Sequence, residues 1–161
     1  MLVVSDTSPL RSLQALGLVH VLEALYQSVV IPPAVMTELR VDVAGLGPFD
    51  PATFPFIRVQ APSAIPAAIA LDAQLGPGEA AAIALALELR ADKLLIDERR
   101  GRGVASKLGV PTTGVLSMLV DAKAAGLIPA VAPLLEKLHA TIDFRMSHAL
   151  RDRILSDAGE R

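Results

Sequence analysis

Three short runs of consecutive apolar residues, Leu2-Val3-Val4, Val29-Val30-Ile31 and Leu94-Leu95-Ile96, constrain this chain more than any other feature in it. Each is too short for a helix, uninterrupted by polar residues and rich in branched side chains, so each reads as a strand buried on both faces. The segments between them carry apolar residues at helical spacing. Strand and helix alternating along one chain build a mostly parallel sheet with helices on both faces, so the expected class is α/β.

The first strand stops at Ser5-Asp6-Thr7-Ser8-Pro9. Ser8 is suited to cap a helix with Pro9 at its first position. Leu10, Leu13 and Leu16, then Leu18, Val21, Leu22 and Leu25, predict two short helices or one helix kinked at Gly17. After the second strand, Val35, Met36 and Leu39 predict a short helix carrying Glu38. Residues 41–66 are punctuated by Gly45, Gly47, Pro48, Pro51, Pro55 and Pro62 and read as a long surface loop, with only Phe56-Ile57-Arg58-Val59 strand-like. Helices are predicted over 66–73, 79–90, 100–108, 115–125, 129–140 and 147–158, with a last short strand over 109–113.

With 161 residues, 52% of them hydrophobic, the chain can bury one core, and a single domain over 1–161 is expected, with 129–161 as a C-terminal helical extension. Fifteen Lys and Arg against seventeen Asp and Glu leave a formal charge of -2, so any basic site must be local. The absence of cysteine excludes disulfides, thiolate zinc sites, iron–sulfur clusters and a cysteine nucleophile, and fits a cytoplasmic setting. Aromatic residues at 3% argue against base-stacking platforms. The longest apolar stretch, over 80–87, falls far short of the ~18 to 20 residues that span a bilayer, and Met1-Leu2-Val3-Val4 lacks a basic leader. A soluble, unprocessed protein without membrane partners is expected.

Ligands of an open parallel sheet bind beyond the carboxyl ends of its strands. Asp6 follows the first strand and Asp97 the run 94–96, while Glu79 opens the helix leading back into that run and Glu38 lies near the end of the helix after the second strand. Four carboxylates meeting at one edge repel one another unless a cation is present, and hard oxygen donors suit Mg²⁺ or Mn²⁺. Each acid also has a structural role open to it. Asp6 fits an ordinary turn or cap, Glu79 is favoured by the helix dipole, Glu38 suits a solvated face, and Glu98 reads as a surface acid or an outer neighbour of the site. Arg99, Arg100 and Arg102 crowd a predicted helix N-terminus, where positive charge opposes the dipole; Asp97 and Glu98 or a phosphate backbone would explain them. His20, His139 and His148 have no metal-ligand spacing, and neither a serine-hydrolase elbow nor a P-loop is present. Ser8 stands where a haloacid-type phosphatase needs a second aspartate. Thr112-Thr113 stands where a receiver domain needs lysine.

The segments Val4-Ser5-Asp6-Thr7-Ser8-Pro9-Leu10, Val30-Ile31-Pro32 with Val35-Met36-Thr37-Glu38-Leu39, Gly78-Glu79-Ala80-Ala81-Ala82-Ile83, and Leu94-Leu95-Ile96-Asp97-Glu98 with Gly101-Arg102 resemble, in this order, the PIN-domain proteins. The resemblance extends to Ala122-Lys123-Ala124-Ala125-Gly126-Leu127-Ile128 and Phe144-Arg145-Met146-Ser147, and is nearest to a bacterial and archaeal subfamily related to the VapC toxins of toxin–antitoxin pairs. It implies a PIN-like three-layer fold and a Mg²⁺- or Mn²⁺-dependent endoribonuclease that cleaves single-stranded RNA with a metal-activated water. It carries catalytic and metal-ligand roles onto Asp6, Glu38, Glu79 and Asp97, with Thr7 or Ser8 as a hydroxyl partner. At Glu79 the chain departs from the aspartate of many PIN nucleases. Arg99, Arg100 and Arg102 are then expected to hold substrate phosphates.

RNA is the expected partner, with an antitoxin protein as a second. The alternative is a PIN-like module that is catalytically weak or inactive and binds RNA or a protein partner. A homodimer is also expected, because the mean hydropathy is +0.49 and Leu13, Leu16, Leu18 and Leu22 offer apolar surface for burial.

Overall fold

The structure, a computed structural model, describes residues 1–161. Five short strands, β1 (Val3–Ser5), β2 (Val29–Ile31), β3 (Ile57–Val59), β4 (Lys93–Leu95) and β5 (Thr112–Thr113), form one sheet in the order β3-β2-β1-β4-β5. Every pairing is parallel. The expected α/β class is present, with α1 (Thr7–Leu16), α2 (Val21–Tyr26), α3 (Pro33–Leu39), α4 (Ala67–Ala70), α5 (Pro77–Leu89), α6 (Arg99–Lys107), α7 (Val115–Ala124), α8 (Ala132–Ile142) and α9 (His148–Asp157) flanking the sheet.

From β1 the sheet grows one way through β2 to β3 and the other way through β4 to β5. The chain therefore reverses between β1 and β4, a switch point where the loops beyond the strand ends part and leave a crevice. Their register sets Ser5 opposite Leu95, and the Asp6 amide donates to the Leu95 carbonyl at 2.9 Å. Asp6 and Asp97 thus leave the sheet beside each other.

Two local expectations change. The cap of α1 is Asp6, not Ser8, and Pro9 takes the third helical position. A proline is tolerated there because the first four helical amides have no intrahelical acceptor. Residues 41–66 are also more than a surface loop: β3 pairs with β2, and Pro51–Thr53 form a 3₁₀ turn. Phe49 stacks on Phe54 at 5.3 Å, and Phe54 meets Phe56 edge-on at 5.8 Å, so three of the four phenylalanines pin this segment.

Gly17 ends α1 in the left-handed region (φ 67°), so α1 and α2 are separate helices. Of the four leucines expected at a dimer face, Leu13, Leu16 and Leu22 are 0%, 5% and 0% exposed in the chain's own core, and Leu18 is half-buried against it. The same core takes in Leu135 and Leu138 of α8 and Ile154 of α9. α8 packs on α1, and α9 on α7. No helix is long and apolar enough to cross a membrane.

Candidate metal and nucleic-acid site

Asp6 is 2% exposed, and although it occupies the cap position of α1 its carboxylate makes no capping hydrogen bond. Burial pushes its pKa from 3.8 to about 7; the Thr7 amide pulls the other way, and the charges of Glu79, Glu38 and Asp97 raise it further. Glu79, Glu38 and Asp97 are thus within electrostatic reach of Asp6.

Each of the others is held by a different element. Glu38, on α3, accepts a hydrogen bond on Oε2 from the Thr7 hydroxyl at 3.2 Å. Glu79, in the first turn of α5, returns Oε1 to the Gly76 amide at 3.2 Å, the dipole-favoured role open to it from sequence. Its Oε2 is buried with no partner. Burial raises the Glu79 pKa, the Gly76 amide opposes that, and Glu98, Glu38 and Asp72 add to it. Asp97 divides its carboxylate in the same way: Oδ1 accepts the Val115 amide at 2.8 Å, and Oδ2 is buried and unpartnered. Burial lifts Asp97 to about 6 against the Val115 amide and the Arg102 guanidinium, with Glu98 adding to the rise.

Three glycines make room for these acids. A Cβ on Gly78 would collide with Glu38 Oε2, one on Gly101 would lie 2.7 Å from Glu79 Oε2, and one on Gly114 would lie 2.8 Å from Asp97 Oδ1. Gly78 and Gly101 stand beside the acidic motifs in the sequence, but their through-space partners are set by the fold. Arg11 is a further residue that sequence reasoning missed. It is 7% exposed and donates to the carbonyls of Glu38, at 2.9 Å, and Val41, which ties the end of α3 to α1. A buried arginine amid the leucines of α1 is the only trace of this in the sequence.

A cleft of about 790 Å³ opens here, lined by Thr7, Ser8, Arg11, Glu38, Asp97 and Arg145 among others. Of the predicted phosphate-binding arginines, Arg102 lies near Asp97 and Arg99 is exposed. Arg100 is engaged elsewhere, its Nε and Nη2 reaching Asp72 Oδ2 at 3.0 and 2.5 Å.

The DUF3368 family model, described as a PIN domain, matches residues 2–160. The chain belongs to the PIN-domain family. No curated protein and no solved structure matches it. PIN domains are in general nucleic-acid nucleases, and those nucleases typically use divalent metals. In this PIN domain the donor chemistry fits such an ion: all four side chains offer hard oxygens, two buried oxygens lack partners, and three of the four acids are strained towards protonation. No group of three or more such donors is drawn together as a formed metal-holding cluster.

Proposed function

We propose that this PIN domain is a Mg²⁺- or Mn²⁺-dependent endoribonuclease acting on single-stranded RNA, with its acids at the switch point between β1 and β4. The observation that carries the reading is the pair of buried, unpartnered oxygens, Glu79 Oε2 and Asp97 Oδ2, at a pole where Asp6 is pushed up to about 7. A fold keeps such groups at a cost that a bound cation offsets.

Asp6 and Asp97 are the residues that would hold the ion, with Glu38 and Glu79 as outer carboxylates. A divalent cation there would supply Lewis acidity to the phosphodiester and offset the negative charge that develops on its oxygens. Around it the chain's own groups orient and screen. The Thr7 hydroxyl fixes Glu38, Arg11 anchors the end of α3, and Arg102 offsets the charge of Asp97. Ser8 on the cleft wall and the exposed Arg99 are available to substrate, and contact with phosphates makes affinity fall with salt. A toxin role with an antitoxin partner rests on the sequence resemblance alone, and we take the chain to work as one unit from 1 to 161.

One observation favours a second reading, a PIN-like module that binds RNA or protein without cleaving: the acids form no ready cluster of three donors. Labelled single-stranded RNA incubated with Mn²⁺, with EDTA, and with Asp6→Asn decides between them. Cleavage with Mn²⁺ only, lost in the variant, supports the nuclease. Binding with no cleavage under any condition supports the module.

A further inference from the structure

A second, smaller cavity of about 150 Å³ adjoins the acidic pole, and three arginines from distant parts of the chain line it: Arg102 of α6, Arg145 between α8 and α9, and Arg153 of α9. Asp97, Phe144 and Arg145 line both this cavity and the larger cleft, so the two adjoin at Asp97. Ser117 adds a hydroxyl on the wall from the first turn of α7. Arg102 and Arg153 make no ion pair; Arg145 has only an exposed one with Asp143 at 3.4 Å. Three arginines against the single carboxylate of Asp97 on the lining of one concavity, in a chain whose net charge is -2, leave an excess of positive charge there that suits an anion.

We propose that this pocket is a backbone-phosphate subsite supplied by the C-terminal segment. A single RNA strand lying in the cleft across Asp97 would seat a phosphate adjacent to the scissile one between Arg102, Arg145 and Arg153. The inference rests on the nuclease reading and gives the last two helices a part in substrate binding. Their arginines grip phosphate and read no base, so the subsite adds affinity without sequence preference. Its position on the Asp97 side of the cleft sets the direction in which the strand leaves the acids.

The test measures binding of a labelled oligouridylate to the full-length Asp6→Asn chain over a range of salt, with and without Arg145→Gln and Arg153→Gln together. Both arginines are exposed, so the melting temperature serves as a check that should not move. Loss of the grip on that one phosphate lowers the slope of log affinity against log salt by up to about 0.7, the single-strand value per phosphate, and weakens binding several-fold at low salt. Arg151→Gln, which breaks an ion pair with Glu136 outside the pocket, leaves the slope unchanged. An unchanged slope in the double variant, with cleavage by the unsubstituted protein intact, overturns the subsite and leaves the nuclease reading standing. Displacement of the RNA by polyglutamate as readily as by unlabelled RNA also overturns it, in favour of an acidic protein partner. An unsubstituted protein that neither binds nor cleaves RNA removes both readings.

Discussion

The Val115 amide donates to Asp97 Oδ1 at 2.8 Å, so the carboxylate that follows β4 also secures the start of α7 while its second oxygen stays buried and free. The two oxygens have separable jobs. Asp97→Asn keeps an acceptor for Val115 and removes the charge, so RNA cleavage is expected to vanish with the melting temperature held or raised. Asp97→Ala removes the acceptor as well and should cost about 1 kcal/mol, the ordinary worth of a helix cap. Thermal melting of the two variants side by side checks this. Equal melting temperatures mean that the Val115 contact contributes nothing.

Acid should stabilise the metal-free protein. In the folded state Asp6 ionises near 7 and Asp97 near 6, both above their ordinary 3.8, so between those limits the folded chain holds protons that the unfolded chain has released. Stability must then fall as pH rises from about 4 to about 7, by up to roughly 4 kcal/mol for Asp6. In EDTA the melting temperature is expected to climb as pH drops from about 8 to about 5, and Asp6→Asn should flatten most of that climb. Added Mn²⁺ should raise the melting temperature at the alkaline end, and more in the unsubstituted chain than in Asp6→Asn. A profile already flat in EDTA would show that the burial of Asp6 carries no penalty.

The strands that flank the switch point were legible because Val3-Val4, Val29-Val30-Ile31 and Leu94-Leu95 are buried on both faces and so carry no polar residue. β3 was harder to read. It is an edge strand with Arg58 and Val59 exposed, set among prolines, and its pairing with β2 depends on an aromatic cluster that periodicity does not register. The positions of the four acids in the chain could be read, since each sits at the end of a strand or helix. Their neighbours could not, because Gly78 matters through Glu38 and Gly114 through Asp97, contacts made only once separate elements pack. The tail shows the same limit: Arg145 and Arg153 stand out as charge in the sequence, but only the packing of α9 on α7 brings them beside Asp97.

Gly78→Ala should damage function far more than stability. The new methyl collides with the carboxylate of Glu38, the free end of a flexible side chain, which can swing away without disturbing the core. The expected result is a melting temperature within a few degrees of the parent and a raised Mn²⁺ requirement for cleavage. Gly103→Ala is the control: a Cβ there meets nothing within 4 Å, so on α6 it should add roughly 0.5 to 1 kcal/mol of stability and leave the Mn²⁺ requirement alone. If Gly78→Ala titrates with Mn²⁺ as the parent does, Glu38 has no share in holding the ion.

Deleting residues 147–161 should unfold part of the molecule, not merely trim it. Ile154 is 2% exposed in the common core, and Leu150 and Leu155 pack against that core. Glu160 adds a polar latch: its carboxylate accepts the amides of Val131 and Ala132 at 2.7 and 2.9 Å, where α8 begins, and meets Lys123 Nζ at 3.0 Å. Full burial of one isoleucine is worth roughly 1.5 to 3 kcal/mol, and the half-buried leucines and the lost cap on α8 bring the total to several kcal/mol. Because α8 itself lies on α1, which carries Thr7 and Arg11, the damage should reach the cleft and raise the Mn²⁺ requirement of whatever activity survives. Glu160→Gln separates the latch from the apolar loss and should cost only a fraction of the deletion. Melting curves for the two variants decide the matter: a deletion that melts like the parent would make α9 a dispensable appendage, and its place would then be at an interface with another molecule.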